Sequence, residues 1–104
     1  MTASAYLITK DLPSSEKFGI VSQLNRAAVS VACNIAEGSA RSSDKEFKRF
    51  LEIALGSAYE CETLILTCIK VELITEANSE NFRALLTEVQ KMLYVLIKKL
   101  NANN

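Results

Sequence analysis

The sequence predicts an all-α protein: an up-and-down antiparallel four-helix bundle with a shortened first helix, forming one domain over residues 1–104. Three observations carry this reading. Apolar residues recur every three or four positions along most of the chain, which is the period of one helix face. Only three glycines and one proline interrupt 104 residues, too few turn formers for a protein of many short strands. The balance of 49% hydrophobic to 23% charged residues belongs to a globular chain with one core and not to a disordered one.

Helix one is read over about residues 3–11. Tyr6, Leu7, Ile8 and Leu12 are its apolar anchors, enough for about two turns before Pro13 ends it. Residues 13–19 form a connection. Helix two, about 20–37, rests on the spacing of Ile20, Leu24, Ala27, Val31 and Ile35, with Gly38 expected as its C-terminal cap.

Helix three is read over about 44–73. Ser43-Asp44-Lys45-Glu46 has the Ser-x-x-Glu form of a capping box, in which two side chains satisfy orphan amides at a helix start. Its stripe runs through Phe47, Phe50, Leu51, Ala54, Ala58, Cys61, Ile65, Cys68 and Ile69. Helix four spans about 76–101, capped by Thr75 or by Asn78-Ser79. There Phe82, Leu86, Val89, Leu93, Leu96 and Leu100 alternate steps of four and three, the seam of coiled-coil-like packing.

Two helices carry more apolar surface than one core needs. Helix four is apolar across Leu85, Met92, Leu93, Tyr94, Leu96, Ile97 and Leu100, an arc of roughly 200° where about 100° suffices. On helix two, Val29, Cys33 and Ala36 lie opposite the core stripe. A homo-oligomer would cover both surpluses; cover within a monomer by helix one and helix three is the competing reading. Between the two apolar faces of helix two, Gln23, Arg26, Ser30, Asn34 and Glu37 form a polar stripe, matched on helix three by Glu46, Arg49, Ser57 and Glu60. An antiparallel hairpin predicts the pairs Glu37–Arg49 and Arg26–Glu60, a polar network that specifies register more than it stabilises. Gly56, on the back of helix three, is expected to mark close approach by another helix, because an interior glycine costs about 1 kcal/mol against alanine.

Catalytic chemistry is sparse. With no histidine, Ser-His-Asp and Cys-His systems are excluded, as is the Glu-x-x-His motif of di-iron bundles. Cys33, Cys61 and Cys68 lack a fourth ligand for zinc and are read as packing residues in a reducing, cytoplasmic compartment. Gly19, Gly38 and Gly56 are too scattered for a phosphate loop. Glu37, Glu52, Glu60 and Glu62 form no evident acid/base pair. No enzyme, cofactor or metal is expected, and no stretch is apolar enough to span a bilayer. Twelve basic and twelve acidic residues cancel, so any nucleic-acid binding must use a local patch. The candidates are Arg41, Lys45, Lys48 and Arg49, with a second cluster at Lys91, Lys98 and Lys99, which a ring of subunits would multiply.

The run from Ser22 to Gly38, SQLNRAAVSVACNIAEG, followed by Arg41, Phe50-Leu51, Ala54 and Gly56-Ser57, closely resembles the four-helix bundle proteins encoded in 23S ribosomal RNA intervening sequences. Asn34-Ile35-Ala36-Glu37-Gly38 is the specific part of that likeness, which covers about residues 5–100. The resemblance implies a homopentamer of four-helix bundles, in keeping with the doubly apolar helices. It also implies a fuller first helix than the one read here: either the start lies further upstream, or the groove between helices two and four is filled otherwise, or, with a first helix truly this short, that groove stays partly open and binds hydrophobic dye. A distant similarity to the accessory variability determinant of diversity-generating retroelements implies a basic, reverse-transcriptase-engaging pentamer; the neutral charge departs from that pattern, and that activity is not carried over. Two roles remain: a nucleic-acid scaffold for RNA or DNA, and an adaptor that presents the oligomer surface to a protein partner.

Overall fold

The computed structural model describes residues 1–10 and 19–102. Leu12, Pro13 and most of the 13–19 connection lie outside the described residues. Four helices follow one another: α1 Thr2–Thr9, α2 Ile20–Ser39, α3 Asp44–Lys70 and α4 Glu76–Ala102. α3 packs along both α2 and α4, while α1 bridges α2 and α4 on the other side. The result is an elongated bundle of 46 × 22 × 17 Å.

α1 docks differently from the expectation. Ala5 is fully buried and Ile8 half-buried, whereas Tyr6 and Leu7 are 53% and 63% exposed. The small alanine lets α1 lie close to α2, and polar groups fix its ends. The Thr2 hydroxyl donates to the Ala28 carbonyl at 3.4 Å, and the Asn25 amide donates to the Thr9 hydroxyl at 3.2 Å.

The α2 core face is Val21, Leu24, Ala27, Ala28 and Val31. The helix continues through Gly38, which has no positive φ and so does not act as a left-handed cap. Its absent side chain serves packing instead. A Cβ at this position would come within 2.7 Å of Phe50 Cβ and 3.0 Å of Phe47 Cδ1, well inside the ~3.5 Å of ordinary carbon contact. Gly38 therefore lets the end of α2 seat on the first turns of α3.

α3 begins with the Ser43 half of the expected capping box, Ser43 Oγ accepting from the Glu46 amide at 3.2 Å. It ends three residues early. Glu72 adopts φ 64°, its amide donates to the Ile69 carbonyl at 3.1 Å, and the Leu73 amide donates to the Cys68 carbonyl at 2.9 Å. These two bonds make a Schellman ending, with glutamate where glycine is usual. Ile74, just beyond, is buried in the core.

α4 is capped by Thr75, whose hydroxyl accepts from the Asn78 amide at 3.0 Å. Its buried positions are Ser79, Phe82, Leu86, Leu93 and Ile97, with Val89 and Leu100 packed against them. Ile97 replaces Leu96 in the seam, and Leu96 is 37% exposed. A strict 3.5-residue repeat drifts by about 20° per heptad on a straight helix, so over 27 residues the core line passes to the next position. Buried Ser79 is satisfied by donating to the Glu76 carbonyl at 3.0 Å and accepting from Arg83 Nε at 2.9 Å.

Cys61 and Cys68 are buried in the core. Desolvation, reinforced by the neighbouring Glu60 charge, pushes the Cys61 thiol from 9.0 up to about 11, which keeps it protonated and inert. Cys33, by contrast, is exposed on the back of α2; it is not the packing residue expected.

Candidate functional site

Antiparallel packing sets what each end of the bundle presents. Ser30 Oγ and Ser57 Oγ lie 2.8 Å apart, which gives the α2–α3 register the hairpin predicts. On the other flank, Lys48 Nζ donates to Asn101 Oδ1 at 2.8 Å, and Gln90 Nε2 reaches the Ala58 carbonyl at 3.5 Å. These contacts bring the start of α3 and the end of α4 to the same end of the molecule. Arg41, Lys45, Lys48 and Arg49 thereby join Lys98 and Lys99 in one basic region, where the sequence presented two separate clusters. The signal was available by counting through the α3–α4 turn, since residue 48 falls opposite residue 101.

Within that region the cations are not equivalent. Arg41 is tied down: its guanidinium pairs with the Glu37 carboxylate, donates from Nε to the Glu37 carbonyl at 3.2 Å, and lies 5.3 Å from the Phe50 ring centroid. Lys98 sits 5.2 Å over the Tyr94 ring. Lys48 is held in place by the neutral side chain of Asn101. Lys45 and Arg49 are exposed, with no ion-pair partner among the described residues. They flank a shallow surface formed with Ser43, Glu46, Lys48 and Glu52. Asp44, Glu46, Glu52 and Glu37 stand against Arg41, Lys45, Lys48, Arg49, Lys98 and Lys99, so the field is positive but weak.

The expected polar network forms only at its centre. Asn34 Nδ2 donates to the Ser30 carbonyl at 2.8 Å and to Ser30 Oγ at 3.0 Å, beside the Ser30–Ser57 contact. The pairs Glu37–Arg49 and Arg26–Glu60 are absent; Glu37 turns to Arg41 one turn along its own chain. Gln23, Arg26, Arg49 and Glu60 are exposed. A serine-to-serine approach leaves no room between the helices for longer side chains, and an exposed ion pair returns at most about 1 kcal/mol. Gly56, too, has no atom of the described residues within 4 Å of the position its Cβ would take, so no close approach among them accounts for it.

Further surfaces are apolar. Met92, Val95 and Leu96 of α4 line a shallow groove with Glu88 and Lys91, and are 58%, 50% and 37% exposed. A second groove lies between α1 and α2, lined by Tyr6, Leu7, Val21, Asn25 and Arg26 among others. Among the described residues no group of three or more His, Cys, Asp or Glu is placed to share a metal ion. Among those same residues no helix is long and apolar enough to cross a membrane.

Comparison with known proteins agrees with this architecture. A crystal structure of a protein of unknown function from the S23 ribosomal protein family of Bacteroides thetaiotaomicron superposes with a TM-score of 0.81 at 29% identity, over 93% of this chain and 88% of that one. No curated protein matches. The family model described as 23S rRNA-intervening sequence protein matches residues 1–95. With that match spanning nearly the whole bundle, including the Ser30–Ser57 seam and the Gly38 contact, the chain belongs to the 23S rRNA-intervening sequence protein family.

Proposed function

We propose that this protein is a non-enzymatic, self-assembling scaffold of the cytoplasm, a homopentamer that holds nucleic acid, RNA in the first instance, on a repeated basic surface. The observation that supports this most directly is the convergence of Lys45, Lys48 and Arg49 with Lys98 at one end of the bundle, fixed by the Lys48–Asn101 hydrogen bond. One copy offers a weak positive field. Cyclic repetition multiplies it, and phosphate contacts that are negligible singly become useful together.

The test is fluorescence anisotropy with a labelled single-stranded RNA across a salt series. The expected result is a steep loss of affinity with rising salt, with a log–log slope of about −0.7 per phosphate contact. Lys45→Ala/Arg49→Ala should flatten that slope without altering the assembly. Absence of binding at low salt, or binding indifferent to salt, would move the reading to an adaptor whose protein partner meets the apolar surface.

A further inference from the structure

The backs of α2 and α4 each carry an apolar stretch between two charges, and the order of those charges is opposite. On α2, the face opposite the buried Leu24, Ala28 and Val31 carries Arg26, then Val29, Cys33 and Ala36, then Glu37. On α4, the face turned away from Leu86, Leu93 and Ile97 carries Glu88, then Met92 and Val95, then Lys99. Each face is therefore an apolar stretch bounded by two charges eleven positions apart, about 16 Å along either helix. The order of charges is reversed between them. The apolar part of the α2 face is half-buried Val29 with exposed Cys33 and Ala36, and that of the α4 face is exposed Met92 and Val95.

Height along the bundle agrees as well. The Ser30–Ser57 contact sets α2 against α3, and the Lys48–Asn101 and Gln90–Ala58 contacts set α3 against α4. Chained together, these registers put Ser30 level with about Met92. Arg26 is then level with Glu88, Cys33 with Val95, and Glu37 with Lys99. α2 and α4 run in the same direction, and each packs on α3 and on α1 but not on the other, so their backs, turned away from that shared core, face apart. A neighbour related by rotation about an axis parallel to the bundle, without axial shift, would bring α4 of one copy onto α2 of the next with opposite charges meeting at both ends. Such a head-to-tail contact between two different surfaces is the kind that closes into rings.

We infer that the back of α2 is the docking surface for the back of α4 of a second copy of this chain, with Arg26 meeting Glu88, Cys33 meeting Val95, and Glu37 meeting Lys99 across the contact. This rests on the self-assembly proposed above and adds which surfaces meet and in what register. Glu37 already holds Arg41 through Oε1, and its exposed carboxylate can take the incoming lysine as a second partner. The contact also supplies a cover for the large exposed side chains Met92 and Val95, which the chain does not cover itself.

Cys33 provides the test. In the full-length Val95→Cys variant, a short bis-maleimide should join the introduced thiol of one copy to the native Cys33 of the next, giving a ladder of linked chains on a denaturing gel. Buried Cys61 and Cys68 stay unlabelled. Removing Cys33 as well (Cys33→Ser) should abolish the ladder, and Glu80→Cys, which places the thiol at the far end of α4 instead, should give none. Native mass spectrometry of the parent reads assembly independently. An assembled parent whose Val95→Cys variant does not cross-link overturns this pairing of surfaces while leaving self-assembly intact; a monomeric parent overturns both. Charge reversal gives a second check. Arg26→Glu should weaken association about tenfold, and Arg26→Glu/Glu88→Arg should restore it; equal weakening by both variants would count against the assigned register.

Discussion

Replacing Gly38 with alanine adds one methyl group where the start of α3 leaves no space. The new Cβ would lie 2.7 Å from Phe50 Cβ and 3.4 Å from the Phe47 carbonyl oxygen. Phe50 Cβ is fixed to the α3 backbone and cannot swing aside, so the helices must separate by most of the ~1 Å shortfall from ordinary contact. Overpacking of this kind costs about 1–3 kcal/mol. Against it stands a helix-propensity gain of up to about 1 kcal/mol, reduced here because Gly38 is in the last turn. The expected net effect is a loss of about 1–2 kcal/mol. Gly56 is the internal control, because the same substitution there meets nothing within 4 Å and should stabilise by about 1 kcal/mol. Urea unfolding followed by far-ultraviolet circular dichroism, at one protein concentration for all three chains, reads both. A Gly38→Ala protein as stable as the parent would refute the close seating of α2 on Phe47 and Phe50. A destabilised Gly56→Ala protein would refute the open back of α3.

Glu72→Gly should stabilise by about 1 kcal/mol, because residue 72 holds φ 64°, a conformation that costs an L-residue about 1–2 kcal/mol, offset partly by the greater freedom of glycine in the unfolded chain. Thermal melts of the two proteins check it, and an unchanged or lower midpoint would argue against the left-handed ending of α3. The Cys61 thiol, raised from 9.0 to about 11 on folding, binds its proton more tightly in the folded than in the unfolded chain. Its contribution is therefore complete below pH 9 and is lost as pH climbs from 9 toward 11, a fall of up to about 3 kcal/mol. Comparing urea midpoints of the parent and Cys61→Ala between about pH 8 and pH 11 isolates it, with a flatter alkaline limb expected in the variant.

The parts of this structure that depend on neighbours along one helix were legible in the sequence. Ser43 capping Glu46 and the buried line from Leu51 to Cys68 follow from spacing alone, since both involve residues within a turn or two of each other. What was hidden depends on a second element. Gly38 has the sequence look of a helix stop, and only the phenylalanines across the turn reveal that it is a contact point inside the helix. Leu96 and Ile97 are equally apolar, so only the accumulated drift of a long straight helix decides which one faces inward. The end of α3 carried no glycine to mark it, and a glutamate in the left-handed region cannot be read from composition. In the candidate site, charges were visible but their partners were not. Glu37 had Arg41 within reach on its own chain, and the Ser30–Ser57 approach shut out the longer side chains expected to pair across the helices. Conversely, the meeting of Lys48 with Asn101 needed only the antiparallel count, which makes the merged basic end the most recoverable of the features missed.

The uneven arrangement of struts around α3 has a consequence for how the molecule opens. α2 and α3 are neighbours in sequence and pack along most of their length, as do α3 and α4, so these two hairpins gain many contacts for little loop closure. α1 is eight residues long, buries Ala5 and Thr9, and is held mainly through Thr2 and Asn25. A segment with so few buried groups occupies the low end of the ladder of local unfolding free energies. The amide protons of α1 should therefore exchange with solvent through detachment of that helix alone, while those of α3, central to both hairpins, exchange only when the whole bundle unfolds.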